Sequence, residues 1–363
     1  MKKIYLAILL FSTTLTFAQG TATSQEVGIT EGDLSVSLTG GAVYNIPINV
    51  PPGIKGSTPN ISLAYNSQGG NGSAGYGWEL TGISSIKRVS SSKFHDNIID
   101  PVDFDENDRF ALDGQRLMLT AGSTTYGANN ATYETETFST IKVTSYGVHP
   151  RGAELGPAYF RVQYPDGSVA EYGNSPYSST TLEYGINFWQ DPYGNRIVYD
   201  YGDSTNSIML KINKITYGSN DQMVNEIQFG FDTKERTERT RIGSIDYRDT
   251  QLLKSIRIKG SNVMYKKYYL YHDQTSLAYE RLIRVEETTG DDYNFLKYNA
   301  LKFEYDTQSN PNYFEPQQYT TLDLSAIDYI NYSNRAGDFN GDGKSDVLLF
   351  KNDAALKNRF WIY

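Results

Sequence analysis

Between residues 40 and 88, proline and glycine leave the chain only short runs in which to build regular structure. Pro47, Pro51, Pro52 and Pro59 interrupt the first half, and Gly69, Gly70, Gly72, Gly75 and Gly77 crowd around Tyr76 and Trp78 in the second. Between these breakers apolar residues recur at every second position: Ile46, Ile48, Val50, then Ile61, Leu63, Tyr65. A period of two puts each set on one face of a strand, so the stretch predicts two short strands joined by tight turns. The glycines can enter positive-φ conformations, which gives Tyr76 and Trp78 the backbone freedom to lie flat against a sheet.

The same grammar runs on downstream. Residues 159–164, a Pro165-Asp166-Gly167-Ser168 turn and residues 169–172 read as a hairpin. Residues 187–201 read as another, turning at 191–195. A strand over 210–217 ends in Gly218-Ser219-Asn220 and is echoed by one over 252–259 ending in Gly260-Ser261-Asn262. Each has a partner strand after it, at 226–231 and 265–271, and residues 282–285 and 301–305 form a third, worn copy. Such repetition predicts a meander that stacks on itself. Residues 121–132 are a loop by composition. No stretch beyond about ten residues sustains the i, i+3, i+4, i+7 spacing of a helix, so the chain is expected to be all-β.

Lys2 and Lys3 precede an apolar run over 4–17, and Thr16-Phe17-Ala18 stands before Gln19. This is the layout of a secretory signal peptide cleaved after Ala18, so the mature chain is expected outside the cell. A run this short is a poor membrane span, and no second long apolar run follows. Residues 19–34 are polar and read as a loose lead-in, and residues 36–38 read as a first short strand. The chain holds no cysteine, so export leaves stability to packing and metal rather than disulfides. Thirty-three Lys and Arg stand against 42 Asp and Glu, a formal charge of -9, which argues against nucleic acid or an anionic membrane as partner. The 30 tyrosines suit half-buried strands, where the ring packs and the hydroxyl stays wet.

The segment 40–88 resembles the N-terminal signature of the virulence-plasmid B (SpvB) family, a region shared with B components of insecticidal toxin complexes. The residues that carry the likeness are Ile46-Pro47-Ile48, Val50-Pro51-Pro52-Gly53, Pro59-Asn60-Ile61-Ser62-Leu63, Tyr65-Asn66-Ser67 and Gly75-Tyr76-Gly77-Trp78, with Leu80, Gly82, Ile83 and Ile86. Residues 108–117, from Asp108-Arg109-Phe110 to Leu117, look like the next family element. The hairpin 187–201 is similar to the tyrosine-aspartate (RHS) repeats of shell-forming toxins. The resemblance implies a β-rich domain over 35–309 that forms part of a shell or scaffold, with other toxin subunits or a C-terminal toxin as partners.

A linker is expected over 310–325, where Pro311 and Pro316 fall. Beyond it, Asp338-Phe339-Asn340-Gly341-Asp342-Gly343-Lys344-Ser345-Asp346 has calcium-loop spacing. Oxygens of Asp338, Asn340 and Asp342 at alternate positions can converge on one hard cation, Gly343 permits the sharp turn, Lys344 offers its carbonyl and Asp346 a carboxylate. Position 12 of an EF-hand would be Glu; here it is Leu349, inside the apolar run Val347-Leu348-Leu349-Phe350. Strand context without that Glu resembles the FG-GAP, or VCBS-like, repeat of β-propellers, which implies structural Ca²⁺ and an incomplete first repeat over 326–363. The bland alternative is a solvated acidic turn. A phosphate loop at Gly343-Lys344-Ser345 fails, because Asp338 stands where its first glycine belongs. A propeller needs at least four blades, so the sequence is expected to be the N-terminal fragment of a longer protein.

Catalytic candidates are few. Glu134-Thr135-Glu136 matches the Glu-x-Glu pair of ADP-ribosyltransferases, but reads as the solvated face of a strand. His95, His149 and His272 lie far apart and read as surface residues. There is no thiol and no G-x-S-x-G elbow. Trp78, Trp189 and Trp361 could form a sugar platform, and read more readily as core or turn anchors. The sequence therefore points to a secreted, non-catalytic scaffold. Two alternatives stay open: a glycan-binding adhesin, and an ADP-ribosyltransferase or hydrolase whose catalytic part lies downstream.

Overall fold

The computed structural model describes residues 26–137, 140–203, 210–219, 222–290, 295–305, 332–337, 339, 346–351 and 360–362. Their regular structure is almost entirely strand, in two compact units divided after Glu304.

Eight strands of the first unit close into a barrel. They are Ser85–Val89, Arg109–Leu112, Gln115–Ala121, Thr132–Thr135, Lys142–Tyr146, Tyr159–Gln163, Val169–Tyr172 and Glu183–Gln190. Each pairs antiparallel with the next, and the last returns to the first through Tyr184 opposite Ile86. Closure removes the free edges, and a barrel of this strand number is just wide enough to be filled by side chains. Phe110, Tyr133, Phe160, Tyr172 and Tyr184 are all fully buried. Phe110, Phe160 and Tyr184 meet edge to face at centroid distances of 5.1–5.9 Å. The outward positions between them, such as Arg161 and Glu134, are exposed.

The turns follow local chemistry. Asp113 and Gly114 both have positive φ (47° and 83°) in the two-residue connection between Arg109–Leu112 and Gln115–Ala121, the backbone that matches the twist of flanking strands. A Cβ on Gly114 would meet nothing within 4 Å. Gly114→Ala is therefore expected to cost only the conformational penalty, about 1 kcal/mol by denaturant unfolding; a loss of several times that would mean the turn is packed.

From the barrel's last strand a meander continues through Arg196–Gly202, Lys211–Ser219, Gln222–Ile242, Ile245–Gly260, Val263–Gln274 and Glu280–Gly290, with Phe295–Asn299 and Leu301–Lys302 pairing on the last. Its inward face is apolar: Ile197, Tyr199, Ile215, Tyr217, Ile227, Ile256, Ile258, Tyr268 and Leu282 are buried. Both expected hairpins form, and the echoed strands pair as the repeat predicts. At the second hairpin Asp191 Oδ1 accepts the amides of Tyr193 (2.9 Å) and Asn195 (2.8 Å).

The proline- and glycine-punctuated segment covers this face. Ala42–Pro47 pairs with Ser62–Asn66, which pairs with Trp78–Thr81, so that Ile46, Leu63 and Leu80 lie in line. Trp78 is core, 4.8 Å from the Phe303 ring. Tyr217 donates to the Pro51 carbonyl (2.6 Å), and the amides of Asn49 and Leu253 donate to Tyr268 Oη (3.1 Å) and Ser73 O (2.8 Å). Gly82 (φ 91°) has no room for a side chain, since a Cβ would lie 2.0 Å from Asn60 O.

Three expectations are corrected. The lead-in over 19–34 contains two strands: Glu26–Ile29 lies parallel to Phe295–Asn299, and Asp33–Val36 pairs with Ala42–Pro47. Their side chains are all exposed, so backbone pairing holds them; the alternation of Val27 with Ile29 and Leu34 with Val36 is present in the sequence but covers no core. The short strand expected at 36–38 ends at Val36. The partner strand expected at 226–231 belongs to a much longer one, Gln222–Ile242, which turns at Gly243 and Ser244 and returns as Ile245–Gly260.

In the second unit, Tyr332–Gly337, Asp346–Lys351 and Phe360–Ile362 form an antiparallel sheet. The expected signal peptide and the linker at 310–325 lie outside the described residues. Among the described residues no helix is long and apolar enough to cross a membrane.

Candidate functional site

A group of buried charge sits at the barrel. A period of two along Ser85–Val89 turns Ile86 and Arg88 to the same face, and both are buried. The Arg88 side chain is 1% exposed. Its Nε donates to Thr181 O (2.6 Å), one terminal nitrogen to Asp108 Oδ2 (2.9 Å) and the other to Leu155 O, while the Phe110 ring lies 5.1 Å away. Asp108, equally buried, also accepts the amides of Phe104 (3.0 Å) and Asp103 (3.3 Å). Burial pushes the Asp108 carboxyl up, against the pull of Arg88. Beside the pair lies a cavity of about 540 Å³ lined by Asp105, Glu106, Tyr126 and Glu154.

His149 belongs to this cluster and is buried, contrary to its expected surface place. Its Nδ1 accepts the Arg151 amide (3.2 Å) and its ring meets Tyr184 edge-on. Burial pushes the imidazole down to about 4, with Arg88 and Arg151 adding to the shift. His272 is half-buried rather than a surface residue. It lies inside Val263–Gln274, where Nε2 faces the Ala74 carbonyl (2.9 Å) and Nδ1 faces Lys254 Nζ (3.3 Å), and burial pushes it too down to about 4. The signal was available: Tyr268 and Leu270 alternate inward, and His272 continues their period.

His95 caps the outside of the barrel, with Nε2 2.8 Å from Glu136. Glu134 and Glu136 are both exposed, on the face expected for them. Asp96 takes Arg109 Nε at 2.7 Å and also binds Arg116; burial opposes its charge, but the Ser92 amide and both arginines hold its carboxyl below the usual range. The carboxylates of Asp100, Asp103 and Asp105 come within 4.8 Å of one another, a grouping with no sequence motif. Trp78 is core and Trp189 half-buried, packed against the core; the Trp361 side chain lies outside the described residues.

Of the calcium-loop residues, the structure describes Asp346. It is buried, pairs with Gly337 across a strand rung, and its Oδ2 accepts the Phe339 amide at 3.0 Å. Two strands flank the loop, as the apolar run after it requires. Asp338, Asn340, Asp342 and Lys344 lie outside the described residues.

What these groups do chemically is hold. Arg88 directs its guanidinium at three protein acceptors, and Asp108 is saturated by Arg88 and two amides, so the pair locks the barrel wall to the loops around 104, 155 and 181.

The fold has relatives. Residues 36–153 match the family model SpvB, the Salmonella virulence plasmid 65kDa B protein. No curated protein sequence matches the chain. Among solved structures, TcdB2-TccC3 matches with a TM-score of 0.65 at 15% identity, over 98% of this chain and 20% of that one. The Photorhabdus luminescens Tc holotoxin pore matches with a TM-score of 0.65 at 16% identity, over 92% of this chain and 18% of that one. The N-terminal domain of effector protein SpvB from Salmonella typhimurium strain LT2 matches with a TM-score of 0.55 at 16% identity, over 68% of this chain and 99% of that domain. The chain thus spans about a fifth of the Tc chains it matches. Over residues 36–153 it is similar to the SpvB family, and it has the fold of the corresponding part of these Tc toxin components.

Proposed function

We propose that the chain is a non-catalytic scaffold segment of a secreted, toxin-complex-like virulence assembly, with other toxin subunits or a C-terminal toxin as its partners. The observation that carries this reading is a fold likeness spanning 98% of the chain. The architecture supports it: a barrel filled by its own aromatic side chains leaves no channel, and the meander offers a broad wall. In this reading RHS-like hairpins build the wall, and the second unit begins an FG-GAP-type propeller that docks other subunits. The test is purification of the tagged protein from its source under native conditions. Toxin subunits should co-purify in fixed proportion and resist protease while bound. A lone chain with no associated polypeptide would overturn the proposal. Label transfer from NAD to lysate proteins by this chain would overturn its non-catalytic part.

The loop 338–346 is proposed to hold a structural Ca²⁺ through Asp338, Asn340, Asp342, the Lys344 carbonyl and Asp346. EGTA is expected to increase proteolysis near residue 340, and Asp342→Ala to abolish that calcium dependence. Identical digestion of the wild type with and without Ca²⁺ would dispose of the metal.

A further inference from the structure

At the root of the long hairpin the structure buries three reactive groups together. Lys234, on Gln222–Ile242, has a side chain that is 0% exposed. Its Nζ lies 3.4 Å from the main-chain carbonyl oxygen of Asn71, 163 residues away in sequence, and donates to the Asp249 carboxylate. Asn71 sits in the glycine-rich loop of the N-terminal sheet, paired with Tyr76. Both polar atoms of its carboxamide are buried and neither has a hydrogen-bond partner. Glu280 completes the group: it is 4% exposed, Oε1 accepts the amide of Glu235 next to Lys234, and Oε2 is buried without a partner. Its carbonyl oxygen would lie 3.1 Å from a Cβ on Gly75, which places Glu280 against the same loop.

Proteins rarely bury both atoms of a carboxamide unpaired, and an orphaned buried carboxylate on a strand packed against the same loop is a second exception of the same kind. A lysine amine, a carboxamide and carboxylates shielded from water are the parts of an acyl transfer that needs no cofactor. We propose that Lys234 and Asn71 form an intramolecular isopeptide bond.

The step balances within these residues. Nζ gives up a proton to Asp249, which already accepts its hydrogen bond, and attacks Cγ of Asn71. The new Cγ–Nζ bond forms, the Cγ–Nδ2 bond breaks, and Nδ2 takes up a second proton from Nζ and departs as ammonia, while Asp249 keeps the first. Asp249 touches the attacking nitrogen and is the proton acceptor. No oxidant or reductant is involved. The product joins the glycine loop to the hairpin in a chain that has no cysteine with which to staple itself.

The test is a peptide map and intact mass of the full chain from its source. The expected result is one branched peptide containing Asn71 and Lys234, no tryptic cleavage at Lys234, and a mass lower by one ammonia. Asn71→Ala and Lys234→Met should each release separate peptides, and Asn71→Asp should restore the link with loss of water instead of ammonia. Unlinked peptides around 71 and 234 in the wild type overturn the proposal. So does an ammonia loss that maps elsewhere, such as cyclisation of an N-terminal Gln19. Neither outcome depends on whether toxin subunits bind.

Discussion

Arg88→Met is expected to lower the free energy of unfolding by about 3–5 kcal/mol, because it leaves the Asp108 carboxylate buried without its counter-ion. Both side chains are essentially inaccessible, at 1% and 0% exposure, so water cannot take over the lost role. The substitution also strips donors from Thr181 O and Leu155 O. Two signatures separate this mechanism from simple loss of packing. Arg88→Met with Asp108→Asn should recover part of the loss, since an amide buries no charge and still accepts a backbone N–H. The damage from Arg88→Met alone should also shrink as pH falls, because a protonated Asp108 no longer needs a cation. Urea unfolding at two pH values measures both. A loss under about 1 kcal/mol would mean that the site opens to solvent.

Acid should weaken the wild type well before its exposed carboxylates titrate. His149 and His272 are both pushed down to about 4 by burial, against an ordinary value near 6.5. A histidine held neutral in the fold and free to protonate in the unfolded chain stabilises the fold above pH 6.5. That contribution is lost as pH falls from 6.5 towards 4, because the unfolded state binds the proton first. Each site should cost up to about 3 kcal/mol by pH 4. Asp96 and Asp191, whose carboxyls are held low, keep their charge through this window and do not produce the slope. Unfolding free energies at pH 7, 6 and 5 should fall steadily, and His149→Gln with His272→Gln should flatten the profile. A flat wild-type profile would show that neither ring is buried as described.

The site was partly legible. Arg88 could be seen as a charge two residues from Ile86, on the same face of its strand, just as His272 could be seen continuing the period of Tyr268 and Leu270. Their partners could not. Asp108, Thr181 and Leu155 reach Arg88 from three separate loops, and Ala74 reaches His272 from 198 residues away. The long hairpin stayed hidden because residues 233–241 are charged. Cross-strand pairs hold it, Arg239 to Asp246 at 2.5 Å and Arg241 to the same residue at 3.4 Å, and such pairs have no signature until the register is known.

The sequence alone determined the strand content, the turns at Asp113-Gly114, Asp166-Gly167 and Asp191, and the alternation that sends Ile46, Leu63 and Tyr217 inward. These are local, set by backbone sterics and a side-chain period of two. The closure of the barrel through Tyr184 and Ile86, the docking of the glycine-rich loop, the burial of Arg88, Lys234 and His149, and the half-burial of His272 were decided only by the tertiary structure. The reason is that sheet closure and charge burial depend on pairings between distant residues. Their free energy comes from excluding water at contacts that no stretch of chain makes by itself.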